Sequence, residues 1–314
     1  MTSASVPSRP TAAARVPCPV CGSSPADHKF LFEKQAVQFW RCARCGFEFV
    51  NPRPSEEWLA AQYDFYGTHV FLDERRLRTD FDSAHFDVEW QLIGNRRGTL
   101  LDVGCSTGAF VKLALQSGFE AEGIDLSEPA TNFGRTQLGL PLRCGDFAAH
   151  VFPEASFDVV TLWATLEHLP DPGVFLAEAH RVLRPSGTLV LTVPNHDSAT
   201  QRLLGRRNRY VGADHLNYFT ARTLARLVQR HGFHPEAVLT RKFNPFIVYK
   251  DLRRSPSDGA SADEVLADQS VTDTVKDQAR YAPLRAAHSL IERVVGRFGL
   301  GDLLLLRASR SLKA

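Results

Sequence analysis

The chain has 314 residues, of which 44% are hydrophobic and 23% charged, and its formal net charge is +2. That composition is of a globular protein with a sizeable core, built as one large domain or one medium domain with attachments. A charge so near neutral gives no sign of a nucleic-acid partner, and no apolar run approaches the ~18 residues of a membrane-spanning helix.

Residues 1–17 are mostly Ala, Ser, Pro and Thr, with two arginines and no apolar block. They cannot serve as a secretory h-region and read as a disordered lead-in, so a cytoplasmic protein is expected. Residues 18–54 begin and continue with cysteine pairs, Cys18-Pro-Val-Cys21-Gly and Cys42-Ala-Arg-Cys45-Gly. Two such knuckles about twenty residues apart match a tetrahedral zinc site with four thiolates. Phe30–Phe32, Val37–Arg41 and Phe47–Val50 read as short strands around them, which makes a zinc ribbon. Two disulfides would need an oxidising compartment, and a thioredoxin-type motif needs one CxxC rather than two. A segment this short cannot easily fold without metal, so the zinc is expected to be structural. Cys105 and Cys144 fall outside the pattern.

Residues 55–97 form a helical connector. A helix is expected over Glu56–Tyr63, and the aromatic run Tyr63-Asp-Phe-Tyr66-Gly either covers a cofactor or substrate pocket or simply packs. From residue 98 to 314 the pattern alternates between strands and helices. Strand-like runs fall at Thr99–Val103, Ala121–Asp125, Leu140–Cys144, Phe157–Leu162 and Gly187–Val193, with helical spacing between them, notably over Pro172–Leu183. Such alternation gives a parallel sheet with helices on both faces, whose ligand lies beyond the carboxyl ends of the strands. Asp102-Val-Gly104-Cys-Ser-Thr-Gly108 stands at that place, as a tight turn followed by a helix N-terminus able to take an anion. Asp125 follows Gly104 by 21 positions and is placed to accept from ribose hydroxyls. Asp146, after the third strand, is placed to accept from an adenine amino group. The loop is GxxxG rather than the dinucleotide GxGxxG, which disfavours NAD or FAD.

The ordered series Leu101-Asp-Val-Gly-Cys-Ser-Thr-Gly, Gly123-Ile-Asp-Leu-Ser127, Gly145-Asp-Phe147, Phe157-Asp-Val-Val and Leu183-Arg-Pro-Ser-Gly187 resembles the class I S-adenosylmethionine-dependent methyltransferases. The resemblance covers roughly residues 98–245. It implies an α/β fold, a Rossmann-like seven-stranded sheet with helices on both faces, beside the small N-terminal zinc ribbon. It also implies S-adenosylmethionine contacts at Asp102, Gly104, Cys105, Gly108, Asp125, Leu126, Asp146 and Phe147. Strand six is then expected at Pro235–Thr240 and an antiparallel strand seven at Gly301–Leu306. Residues 251–300 are an insertion or helical cover before that strand. A membrane-surface segment over 285–306 is the alternative.

Candidate bases lie in two stretches. Thr165-Leu-Glu167-His168-Leu-Pro-Asp171 follows the fourth strand, and Asp214-His215-Leu-Asn217-Tyr218 follows the fifth. His215 is the expected general base, His168 its competitor, and Tyr218 a phenol to position the acceptor. Each of the three could instead merely hold its loop. Glu167-His168-Leu-Pro-Asp-Pro also resembles a stretch of the quinone-biosynthesis O-methyltransferases, some of which use a divalent ion there, which carries over to Glu167 and His168 as ligands. The basic stretch Arg202–Arg209 either meets a phosphate-bearing substrate or is a solvated loop.

Three functions compete. The favoured one is methyl transfer to a small molecule, most simply a hydroxyl of a natural product, sugar or glycan. The ribbon resembles that of sugar C-methyltransferases, whose long extra C-terminal domain this chain lacks. A ribbon-bearing RNA base methyltransferase is the alternative, opposed by the near-neutral charge and the absence of an Asn-Pro-Pro-Tyr-type motif. A non-catalytic cofactor-binding protein is the third. The expected partner is a small-molecule acceptor; the same charge disfavours nucleic acid, and no membrane span is expected.

Overall fold

The computed structural model describes residues 14–82, 85–256 and 282–311. Its larger sheet has seven strands, in spatial order β10 (Phe233–Arg241), β11 (Leu303–Arg310), β8 (Leu183–Pro194), β7 (Phe157–Trp163), β4 (Thr99–Val103), β5 (Glu120–Asp125) and β6 (Leu142–Cys144). The strands from β8 to β6 run parallel, and β11 runs antiparallel to both of its neighbours. This is the Rossmann-like seven-stranded sheet that the motif order implies, with the last strand reversed.

Alternation along the strands explains why the sheet is covered twice. Leu101, Val103, Val160, Leu162, Leu304 and Leu306 point into one core with α6 (Pro172–Val182) and α8 (Ala221–Arg230). Leu100, Val159, Val190 and Leu305 point into the other, with α3 (Asp87–Ile93) and α4 (Ala109–Gln116). The run Leu304–Leu306 is therefore buried on both faces of an inner strand, which is why it reads as unbroken leucine rather than as alternation. α5 (Glu128–Leu138) joins β5 to β6, starting at its Ser127 cap. α8 begins in a capping box in which Thr220 and Thr223 bond reciprocally, and it buries Leu224, Leu227 and Val228.

The smaller sheet holds β1 (His28–Lys34), β2 (Val37–Cys42) and β3 (Glu48–Val50) in antiparallel order. Its fourth strand, β9 (Asn217–Tyr218), comes from the far half of the chain and pairs with β3 through Glu48↔Tyr218 and Phe49↔Asn217. Nothing in the sequence marks this two-residue strand. α1 (Glu56–Phe65) leaves the sheet and passes directly into a π-helical turn, Tyr66–Val70, followed by α2 (Glu74–Asp80).

Element boundaries shift where turns intervene: the third parallel strand is only Leu142–Cys144, and the sixth and seventh begin at Phe233 and Leu303. α7 (Ala199–Leu204) follows β8, α9 (Pro245–Leu252) follows β10, and α10 (Ala282–Arg297) precedes β11. Residues 257–281 of the 251–300 stretch read as insertion or helical cover, and most of the lead-in, lie outside the described residues. Among the described residues no helix is long and apolar enough to cross a membrane.

Candidate active site

The four knuckle cysteines converge. Cys18 Sγ lies 3.6 Å from Cys45 Sγ and Cys21 Sγ 3.6 Å from Cys42 Sγ, and all four sulfurs fall within 4.8 Å of one another. A tetrahedron with metal–sulfur arms of ~2.3 Å has sulfur–sulfur edges of about 3.8 Å, whereas a disulfide needs ~2.05 Å. The donor set thus fits one zinc ion and not two bridges, and the cysteines are free thiols. The knuckles are built alike: Gly22 N–H donates to the Cys18 carbonyl at 2.8 Å and Gly46 N–H to the Cys42 carbonyl at 2.9 Å. The hydrogen bond between Cys18 and Cys45 drives the Cys18 thiol pKa up and brings Cys45 down to about 7.

The cysteine sheet is not a free appendage. Phe47 and Phe49 share a core with Phe219 and the buried face of α8. Val50 N–H donates to the Leu216 carbonyl at 3.0 Å. Arg53, only 5% exposed, donates through Nη1 to the same carbonyl and through Nη2 to Asn217 Oδ1, each at 2.7 Å. This arginine was not identified from sequence, because nothing around Pro52-Arg53-Pro54 signals that the guanidinium is buried.

At the carboxyl edge of the large sheet, Gly104 has φ +76° and a Cβ there would stand 2.5 Å from Thr165 Oγ1. Only glycine permits both the turn and that approach. Gly108, with φ +85°, caps the N-terminus of α4. Asp125 at the end of β5 accepts from the Ser106 amide at 2.9 Å and the Ser127 amide at 2.8 Å, which fixes the carboxylate and leaves lone pairs on both oxygens. Burial raises its pKa, despite those amide bonds. Leu126 beside it is 46% exposed, an apolar surface next to an acid. Asp146 is exposed and accepts from Ala148 N–H, while Phe147 is buried against Phe152 and Phe175. Cys105 is buried, its sulfur packed where a Cβ of Gly123 would be. Asp102 is enclosed within the sheet, accepting from Thr161 Oγ1 at 2.7 Å, and burial pushes its pKa up to about 8.

Tyr63 and Tyr66 come from α1 and the π-helical turn. Burial raises Tyr63 to about 12, with Asp125, Glu167 and Asp146 adding to the shift. A Cβ at Gly67 would meet Ser127 Oγ at 2.2 Å, so the turn lies against the start of α5. Tyr66 O–H donates to Asp214 Oδ2 at 3.3 Å.

The two stretches proposed to hold a base meet in space. Ligand atoms of Glu167, His168 and His215 lie within 4.8 Å of one another, and the two imidazoles stand edge to face at 4.7 Å. His168 Nδ1 bonds the Asp214 carbonyl at 2.8 Å and His215 Nδ1 bonds the Tyr210 carbonyl at 2.9 Å. A carbonyl can only accept, so Nδ1 carries a proton in each ring, which assigns any lone pair to Nε2. Burial, then the neighbouring His215, lowers the His168 pKa. Burial pushes Glu167 up to about 7, and its Oε2 has no hydrogen-bond partner among the described residues. Burial alone would raise Asp214, but His215 and His168 hold it below the usual carboxylate range. Its Oδ2 lies 3.9 Å from His215 Nε2.

Tyr218 is not part of this group. Its hydroxyl donates to the Gly212 carbonyl at 2.9 Å and accepts from the Gly212 amide at 3.2 Å, and the ring packs on Phe39 and His196. Both functions of the phenol are consumed in closing the 212–218 loop, and burial raises its pKa well above the usual value. The geometry gives it the loop-holding role rather than that of positioning an acceptor.

A family model described as "Methyltransferase domain" matches residues 73–238, more than half of the chain. A ubiquinone biosynthesis O-methyltransferase of Thiobacillus denitrificans is 28% identical over 162 residues, which cover 46% of this chain and 68% of that protein. The nocamycin O-methyltransferase of Saccharothrix syringae is 36% identical over 146 residues, 43% of this chain and 48% of that one. Among solved structures, the [4+2]-cyclase SpnF superposes with a TM-score of 0.54 at 19% identity, over 82% of this chain and 97% of that chain, a likeness of fold alone.

Proposed function

This chain belongs to the methyltransferase-domain family and is an S-adenosylmethionine-dependent methyltransferase, and from that premise we propose that it methylates a hydroxyl of a small molecule, a natural product, sugar or glycan. The observation that carries the proposal is the pair of imidazoles, His168 and His215, packed edge to face beside the strand edge that bears Gly104 and Asp125. In this reading the acceptor oxygen forms its bond to the methyl carbon as the carbon–sulfur bond breaks, and S-adenosylhomocysteine leaves. The hydroxyl proton passes to Nε2 of His215, and Asp214 beside that nitrogen stabilises the imidazolium. Tyr66, bonded to Asp214, holds the carboxylate in place. The O-methyltransferase names of the two relatives support a hydroxyl acceptor. Cys18, Cys21, Cys42 and Cys45 hold one structural zinc in the same reading, supported by their sulfur spacing.

The test compares His215→Ala and His168→Ala with one acceptor. The first should lower turnover by roughly 10²–10⁴-fold with S-adenosylhomocysteine affinity unchanged. Loss confined to His168→Ala would transfer the role to His168. Near-normal rates in both would sink base catalysis by either ring.

A second reading is favoured by the unpartnered Glu167 Oε2, on a carboxylate that clusters with the ligand atoms of His168 and His215. Glu167, His168 and His215 fit a divalent cation, each imidazole being oriented by a backbone carbonyl as ligating histidines usually are. Such an ion would lower the pKa of the acceptor hydroxyl. Calorimetric titration with Mn²⁺ separates the readings: tight binding lost in Glu167→Gln supports the ion, and no binding supports the imidazole base alone.

A further inference from the structure

α10 is amphipathic the wrong way round. Its contacts with the body are made by His288, whose Nε2 bonds the Phe243 carbonyl at 2.7 Å, by Glu292, which accepts from Phe243 N–H, and by Gly296 against Thr240. Those residues recur every four positions and so lie on one face. The other face carries Leu290, Ile291, Val294 and Phe298, which are 57%, 42%, 49% and 73% exposed. α9 does the same, burying Val248 and Asp251 while exposing Phe246, Tyr249 and Leu252. A soluble monomer has no reason to turn two apolar helix faces outward, and such faces mark a docking surface.

Cations accompany the apolar residues. Lys250 lies over the Phe246 ring and Arg253 over the Tyr249 ring, while Arg293 and Arg297 are exposed on α10. Arg207 reaches the end of α9 by donating to the Arg254 carbonyl at 3.1 Å. The stretches 197–209, 242–256 and 288–298 hold ten Lys or Arg against three Asp or Glu, in a chain whose net charge is only +2. Of the three acids, Asp251 is fully buried on Arg209 and Glu292 is turned to Phe243, which leaves Asp197, paired with Arg202. A second copy of this face would bring cations against cations. An anionic partner with an apolar interior matches both properties.

We propose that α9, α10 and the Arg206-Arg207 loop dock this protein on the surface of a bilayer rich in anionic lipid. The apolar stripe enters the headgroup boundary and the arginines engage the lipid phosphates. α9 follows the carboxyl end of β10, which is parallel to β8, so the docked face belongs to the same edge of the sheet as Gly104, Asp125 and His215. An acceptor drawn from the membrane would reach the site from that side. The docking itself does not depend on the identity of the acceptor.

Vesicle sedimentation of the full chain tests this, with neutral phosphatidylcholine against vesicles containing about a third phosphatidylglycerol. The protein should pellet with the anionic vesicles only, and less so as salt rises. Arg293→Gln/Arg297→Gln should weaken binding about 25-fold, at roughly 1 kcal/mol per cation. Val294→Ser/Phe298→Ser should weaken it by at least tenfold, with S-adenosylhomocysteine affinity intact as proof of folding. A Phe298→benzoylphenylalanine variant should photo-crosslink to lipid. Crosslinks between chains would assign the face to a second copy. Crosslinks within the chain to residues 257–281, which carry six acids and two cations, would assign it to that stretch. No pelleting, or wild-type pelleting of the Val294→Ser/Phe298→Ser protein, would also overturn the proposal.

Discussion

Arg53→Met tests whether the cysteine sheet fixes the loop that carries His215. The guanidinium holds Leu216 and Asn217 through two hydrogen bonds of 2.7 Å. Leu216 N–H in turn donates to the Glu167 carbonyl at 2.7 Å, and Asn217 Nδ2 donates to the carbonyls of Leu166 and Leu169. One side chain therefore ties β3 to both stretches that build the imidazole pair. Two hydrogen bonds from a charged donor contribute about 3–6 kcal/mol. Offsetting this, burial has driven the Arg53 pKa down to about 10, with Asp171 attracting it only through space, and an apolar replacement recovers that desolvation. The net destabilisation should be about 1–3 kcal/mol, a fall in Tm of a few degrees for a chain of this size. Activity should suffer more than stability, because a displacement of about 1 Å at His215 can cost on the order of 10² in rate. Thermal denaturation, turnover and calorimetric S-adenosylhomocysteine affinity are to be measured on the same preparation. Turnover should fall roughly 10²-fold while the affinity stays, since Arg53 touches neither the glycine loop nor Asp125. A parallel loss of affinity, or a kcat near that of the wild type, would refute the reasoning.

Asp125→Ala should weaken S-adenosylhomocysteine binding by on the order of 1–3 kcal/mol in calorimetry, through lost ribose hydrogen bonds and a loosened Ser106 loop; unchanged affinity would remove Asp125 from the site. Elemental analysis should find about one zinc per chain, and Cys42→Ser should lose it together with turnover but keep most cofactor affinity; protein isolated zinc-free without chelator would contradict this. Glu167→Gln should alter the pH dependence of stability. The folded protein binds the Glu167 proton at a pKa of about 7 against an ordinary 4.5, so wild-type stability is lost as pH rises between those values and no further above them. The variant lacks that loss and should gain up to about 3 kcal/mol at pH 8 and nothing at pH 4, as read from urea unfolding; the same stability difference at both values would show that the Glu167 pKa is not raised on folding.

The glycine turn and the acid of the next strand were legible because their spacing is local. A tight turn, a helix N-terminus and an acid one strand further on must recur at fixed spacing, so Gly104, Gly108 and Asp125 can be found without knowing where the sheet curls. The same holds for Cys18, Cys21, Cys42 and Cys45, where each pair is one knuckle. The meeting of Glu167 and His168 with His215 was only half legible: one stretch directly follows β7 and the other lies some twenty residues beyond β8, and their separation depends on backbone bonds such as Leu216 N–H to the Glu167 carbonyl. Tyr218 shows the limit. It is three residues from His215, and a two-residue strand turns its phenol back onto Gly212. Arg53 and the pairing of β3 with β9 were invisible, because long-range pairing over so short a strand leaves no periodicity to read.

That pairing changes what a metal held by the cysteine sheet would contribute. A ribbon that folded by itself would stabilise only its own residues, and the cofactor domain would be indifferent to its loss. Here its outer edge is β9, with His215 two residues before that strand and Phe219 of the α8 core directly after it. Holding the cysteines therefore fixes β3, β3 fixes β9, and β9 sets where the second imidazole stands relative to the first. The glycine loop and Asp125 are built by β4 and β5, which share no strand pairing with that chain of contacts. Metal loss and cofactor affinity should for that reason be nearly independent, while metal loss and turnover should be tightly linked.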